Sequence, residues 1–128
     1  MTSVEVPYSI AAALPTLSVM DITNEVSRSI GRSGRSDGIA YISATSSLSL
    51  VRVQERETGF FEDLECLLER VVPGETPARE RLVHALLGSR TEQVPFSDGS
   101  LCLGHYQRIF LVAFEDRCSN EWMLTVVA

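Results

Sequence analysis

A chain of 128 residues with 17 acidic and 11 basic side chains carries a net charge of −6. Its length gives room for one domain with a proper core, and its charge gives no general electrostatic reason to seek nucleic acid or an anionic membrane. Hydrophobic content of 45% beside 22% charged residues is that of a globular protein and argues against long disorder.

The first residues alternate, with Val4, Val6, Tyr8 and Ile10 on one parity, which predicts a strand. Pro7 falls on the other parity and suits an edge position, because proline cannot donate to a ladder. The apolar piece Ile10 to Leu14 is cut short by Pro15, and Glu5 stands where an export signal needs basic residues. A second strand is expected through Leu17, Val19 and Met20. A helix follows, with Asp21 or Thr23 as cap and Ile22, Val26 and Ile30 spaced by fours. Gly31 and Gly34 loosen its end.

Gly38 opens the next element. Residues 39–53, rich in Ile, Val, Leu, Ser and Thr, are expected to be strand for most of their length. From Gly59 the pattern becomes helical. Phe60, Leu64, Leu67, Leu68 and Val71 form its apolar face, and Glu62, Asp63, Glu65, Glu69 and Arg70 its wet one. Pro73 and Gly74 end that helix. Thr76-Pro77 reads as a cap and first-turn pair for another, running through Leu82, Ala85 and Leu86 to Gly88.

The last third reads as sheet. Val94 to Phe96 and Leu101 to Leu103 flank Ser97-Asp98-Gly99-Ser100, a strong hairpin signal. Residues 106–114 are apolar on both parities, with Phe110, Val112 and Phe114 opposite Ile109, Leu111 and Ala113. Such a strand must be covered on both faces. Residues 122–127 form a final strand. The order predicts a single α+β domain with sandwich-like antiparallel sheets and about three helices. No run approaches the roughly 20 apolar residues of a membrane span. Cys66, Cys102 and Cys118 have no zinc-like or redox-like spacing. An odd thiol count without an export signal suits the cytoplasm.

The run Leu101-Cys-Leu-Gly-His-Tyr-Gln-Arg-Ile-Phe-Leu-Val-Ala-Phe114 resembles the closing motif of the YjbQ family, Leu-x-Leu-Gly-Thr-Trp-Gln-Arg-Ile-Phe-Leu-Val-Glu-Phe. Val19-Met-Asp-Ile-Thr-Asn-Glu-Val26 resembles the family's early Val-Val-Asp-Ile-Thr-Asp-Glu-Val. Gln54-Glu-Arg-Glu-Thr-Gly-Phe-Phe-Glu-Asp-Leu64 is similar to its Asn-Glu-Asn-Glu-x-Gly-Leu-Leu-Glu-Asp-Leu, and Leu86-Leu-Gly88 to its Leu-Leu-Gly. The resemblance covers nearly the whole chain. It implies a YjbQ-like fold, a homotrimer, and kinship with proteins described as secondary thiamine-phosphate synthases.

The departures fall where the resemblance places that family's chemistry. Ser46 stands at the motif histidine, Gln54 and Arg56 at two asparagines, and Arg79 and Arg81 at the paired histidines of a helix start. His105 and Tyr106 replace threonine and tryptophan. The family's Tyr-x-His-Asn segment is missing, leaving only residues 74–78. Glu55 and Gln107 are retained.

A metal site needs three or four convergent His, Cys or carboxylate ligands. With only His84 and His105 in the chain, no metal and no cofactor is expected, and both histidines are expected to be surface or half-buried groups. Near a helix start, Arg79 and Arg81 could flank a small phosphate-like or carboxylate anion held by free backbone N–H groups, aided by Arg56 and Arg90. The plain alternative is a solvated arginine face. Arg28, Arg32 and Arg35 follow helical spacing and suit the negative end of a helix dipole. Glu55 is the one retained candidate for a catalytic base; an ordinary hydrogen-bonding or interface role competes.

Arginine neither titrates at neutral pH nor coordinates a metal. The preferred reading is therefore a homotrimer with a degenerate inter-subunit pocket lined by Ser46, Gln54, Arg56, Arg79, Arg81, His105 and Gln107. That pocket would be non-catalytic or would bind a small anion. One competitor is a thiamine-phosphate-synthase-like enzyme working through Glu55, Gln107 and His105. Another is a trimeric scaffold with no small-molecule site.

Overall fold

The structure, a computed structural model, describes residues 18–46, 48–56, 58–113 and 121–128. The expected strand at residues 4–10, Leu17 and Phe114 lie outside them. Two antiparallel sheets carry the described chain. Strands β1 (Ser18–Asp21), β6 (Gln107–Ala113) and β3 (Ser49–Glu55) form the first, in the order β1-β6-β3. The second runs β5-β4-β2-β7, built from β5 (Ser100–Leu101), β4 (Thr91–Ser97), β2 (Gly38–Ala44) and β7 (Trp122–Val127). Three helices complete the α+β domain: α1 (Thr23–Ser33), α2 (Thr58–Val71) and α3 (Arg79–Leu87).

The doubly apolar strand β6 explains the layering. Phe110 and Val112 join Val19 and Leu50 beneath Phe61, Leu68 and Val72 of the α2 segment and Val83 of α3. Phe61 meets Phe110 edge to face, ring centroids 5.2 Å apart, an arrangement favoured by the ring quadrupoles. On the opposite parity, Ile109 and Leu111 join Val51 against Ala40, Ile42, Val94 and Phe96 of the second sheet, with Ile22, Val26 and Ile30 of the α1 segment closing the same cluster. Strand β6 is thus covered on one face by helices and on the other by a sheet.

Several expectations change in detail. The run 39–53 is two strands in two sheets, because the chain turns at Ser46. There the Ser46 hydroxyl accepts the Leu48 N–H at 3.2 Å and its carbonyl accepts the Ser49 N–H at 3.3 Å. A serine that bonds its neighbours' backbone offers an alternative to the ladder. Glu65, expected on the wet face of α2, is only 7% exposed, while Leu67 and Val71, expected inside, are more than half exposed. The sheet covers the face of Phe61, Leu68 and Val72 instead, and Glu65 shares that face.

Helix α3 starts later than Thr76-Pro77 suggests. Residues 74–78 are turn, Ala78 takes the left-handed conformation at φ 55°, and its carbonyl accepts from the Arg81 and Leu82 N–H groups. Arg79 and Val83 face inward, so Leu82 and Leu86 are exposed. The Asp98-Gly99 turn is as expected. Both residues have positive φ, 52° and 75°, as a two-residue hairpin twisted to match its strands requires. Gly38 is needed for space, since a Cβ there would lie 2.4 Å from the Val127 carbonyl oxygen. Among the described residues, no helix is long and apolar enough to cross a membrane.

Candidate functional site

Five of the candidate residues meet at one end of the β3–β6 ladder. Glu55 is in register with Gln107 and Gln54 with Arg108. Just past the strand, the Arg56 N–H donates to the Tyr106 carbonyl at 2.8 Å. The chain enters β6 through a tight turn in which the Gln107 N–H donates to the Gly104 carbonyl at 3.0 Å, and the Gly104 N–H to Gln107 Oε1 at 2.7 Å. A Cβ on Gly104 would come within 3.0 Å of that side-chain oxygen, so glycine is what lets Gln107 fold back over the turn. His105 and Tyr106 form the exposed tip, edge to face with centroids 4.4 Å apart.

Some of these groups already have work. Gln107 Oε1 holds the turn, and Gln54 Oε1 accepts from Arg52 Nε at 3.3 Å. Glu55 is exposed at the strand end. An exposed carboxylate beside an amide and an aromatic tip can hydrogen-bond a polar ligand.

The other three candidates lie elsewhere. Ser46 sits in the turn before β3, six strand steps or more from Glu55. At about 3.3 Å per residue that is roughly 20 Å. Helix α3 runs alongside the same strand. Its Leu87 carbonyl accepts from Arg52 Nη1 at 3.4 Å, and His84 Nε2 donates to the Ser49 carbonyl at 3.1 Å. That direction carries the start of α3, with Arg79 and Arg81, toward the Ser46 end. Arg79 is buried, donating through Nε to the Val72 carbonyl at 2.6 Å and through Nη2 to Glu69 Oε2 at 3.3 Å. It ties α2 to α3 across the short 73–78 connection. Arg81 is exposed, and no side chain caps the helix start.

The sequence offers Asp21 only as a helix cap and leaves Arg108 without a role. Arg108 Nε lies 2.8 Å from Asp21 Oδ2, and Asp21 Oδ1 accepts the Thr23 N–H at 3.0 Å. The Ile22 N–H donates to the Ile109 carbonyl at 2.9 Å, and the Ile109 N–H returns to the Thr23 hydroxyl at 2.8 Å. The early and closing motifs therefore clasp each other. Among the described residues, no three His, Cys, Asp or Glu side chains are placed to hold a metal ion.

The family model described as "UPF0047 protein YjbQ-like" matches residues 12–128. The chain belongs to the YjbQ (UPF0047) family. A UPF0047 protein of Methanothermobacter thermautotrophicus is 31% identical over 106 residues, 76% of this chain and 73% of that protein. The solved structure of an uncharacterised YjbQ/UPF0047 protein from Clostridium acetobutylicum is similar with a TM-score of 0.78 at 23% identity, covering 87% of this chain and 92% of that one. A structure from Sulfolobus solfataricus, described as YbjQ-like and of unknown function, also gives a TM-score of 0.78 at 23% identity, covering 90% of each chain. These likenesses establish the YjbQ fold. The two clasped motifs lie within the matched segment and hold that fold together.

Proposed function

We propose that this YjbQ-family protein is a homotrimer that binds a small phosphate-like anion without transforming it, in a cleft shared between copies. The observation that carries the reading is the split of the candidate residues within one copy. Ser46 sits before one end of β3, toward which the start of α3 with Arg79 and Arg81 is directed, while Gln54, Glu55, Arg56, His105 and Gln107 lie at the other. Only a neighbouring copy can bring the start of α3 to the end of the β3–β6 ladder.

Within that cleft the Arg81 guanidinium and the positive end of the α3 dipole contribute positive potential. Arg79 sets the angle of α3 and shares its charge with Glu69. Arg56 and the His105–Tyr106 tip close the other side. An arginine-lined cleft supplies binding and orientation, and leaves Glu55 and His105 as the groups through which a proton could be transferred.

A thermal melt with added inorganic phosphate tests the binding. A ligand that prefers the folded state raises the melting temperature with concentration. The unmodified chain should show that rise and Arg81→Ala should lose it, with Glu55→Gln unaffected. An equal rise in Arg81→Ala, or none in the unmodified chain, removes the anion reading. Arg79→Ala is a poor probe because it also breaks the α2–α3 tie.

A further inference from the structure

The two carboxamides at the end of the β3–β6 ladder are each held by their oxygen. Gln107 Oε1 accepts the Gly104 N–H at 2.7 Å. A backbone N–H can only donate, so the atom it meets is the amide oxygen, and the Nε2 end of Gln107 is left to donate in turn. Gln54, which alternates to the other face of the ladder, is held alike. Its Oε1 accepts from Arg52 Nε at 3.3 Å, while Arg52 Nη1 is anchored on the Leu87 carbonyl at 3.4 Å. Both amides therefore present N–H groups, and neither Nε2 has a partner among the described residues.

Glu55 stands in register with Gln107, and directly opposed residues of two strands share a face. Glu55 is exposed, and its carboxylate makes no hydrogen bond among the described residues. A carboxylate accepts and cannot donate, whereas the Tyr106 hydroxyl and the His105 ring at the nearby tip do both. A tetrahedral oxyanion that takes the Gln107 N–H thus lies beside a group that it can satisfy only by giving a proton. Against an anion without one, the same carboxylate is simply a repelling charge.

We propose that Glu55 selects the ligand by its proton: the site takes inorganic phosphate, which keeps a hydroxyl at neutral pH, and rejects sulfate and fully ionised phosphate monoesters. The inference rests on the anion-binding reading above and specifies its ligand. Phosphate donates its P–O–H to Glu55 while its other oxygens accept from Gln107 Nε2 and the Arg56 guanidinium. Sulfate has no proton to give. Its oxygens would oppose the Glu55 carboxylate, with one hydrogen bond unmade and like charges close together. An acid retained in an arginine-lined anion site has a purpose on these terms, and the purpose is recognition.

Thermal melts with phosphate, sulfate and methyl phosphate at matched ionic strength test the proposal. They are run at about pH 8, where a monoester has lost its last proton and inorganic phosphate keeps one. Phosphate should stabilise the unmodified chain at concentrations at least about tenfold below the other two, the scale of one hydrogen bond to a charged group. Glu55→Gln should close that gap by admitting sulfate, because its amide can donate to an oxyanion as well as accept from one. Gln107→Glu keeps an acceptor for the Gly104 N–H, so the turn survives, and it should lose phosphate binding. Equal stabilisation of the unmodified chain by phosphate and sulfate, or by phosphate and methyl phosphate, overturns the proposal while the anion reading stands. So does a preference that Glu55→Gln leaves intact, or full phosphate binding by Gln107→Glu. A chain that no anion stabilises overturns both.

Discussion

Arg108 Nε lies 2.8 Å from Asp21 Oδ2, joining the first residues of β6 to the last residue of β1. The Asp21 side chain is wholly buried, and its other oxygen accepts the first N–H of α1. Arg108 also reaches Asn24 Oδ1 at 3.4 Å. One carboxylate therefore fixes both the start of a helix and the register of an edge strand. Removing its cationic partner leaves a buried charge uncompensated, which costs about 3–5 kcal/mol. Arg108→Ala should lose stability on that scale in chemical denaturation. A loss well under 1 kcal/mol would show that the clasp is incidental.

Glu65 presents the opposite case. It is buried on the α2 face that also carries Phe61 and Leu68, and neither carboxylate oxygen has a hydrogen-bond partner among the described residues. Burying an unpaired polar group costs about 1–3 kcal/mol. Glu65→Leu, close in volume and able to join the apolar cluster, should raise the denaturation midpoint. A fall in stability would reveal that the carboxylate is serving a contact that matters.

Two glycines separate space from flexibility. At Gly38 a Cβ would strike the Val127 carbonyl oxygen at 2.4 Å and the Phe96 ring at 2.9 Å. Gly38→Ala should cost about 1–3 kcal/mol, as overpacking does. Gly31 lies within α1, where an added Cβ would meet nothing within 4 Å. Gly31→Ala should gain about 0.5–1 kcal/mol from helix propensity. Equal effects at the two positions would mean that the approach of β2 to β7 is looser than the geometry states.

Much of this fold is legible in the residues. The double parity of 107–113 demands cover on both faces, and both are covered. Asp98-Gly99 specifies a hairpin because both positions need positive φ. The breadth of the apolar stripe on α2 is legible too, but not which part the sheet covers. Phe60, Phe61, Leu64, Leu67, Leu68 and Val71 span more than one face, so periodicity places Glu65 outside when packing puts it inside. The break at Ser46 is hidden because serine and threonine suit both strand and turn. In the candidate site, adjacency at the end of the β3–β6 ladder requires knowing that β3 and β6 pair, a long-range fact no local pattern carries. The roles of Asp21 and Arg108 are within reach, since both lie in matched motifs, but a motif does not say whether its residues bind a ligand or each other.

The central claim, a site assembled from two copies, is tested most directly by mixing subunits. Arg81→Ala and Arg56→Ala chains, each unable to bind phosphate alone, are unfolded together, refolded as a mixture and titrated. Random assembly pairs the intact Arg81 of one chain with the intact Arg56 of the next at about a quarter of the clefts in a cyclic trimer. The mixture should recover that fraction of phosphate binding. No recovery, with mixed trimers present, would contradict a cleft shared between copies.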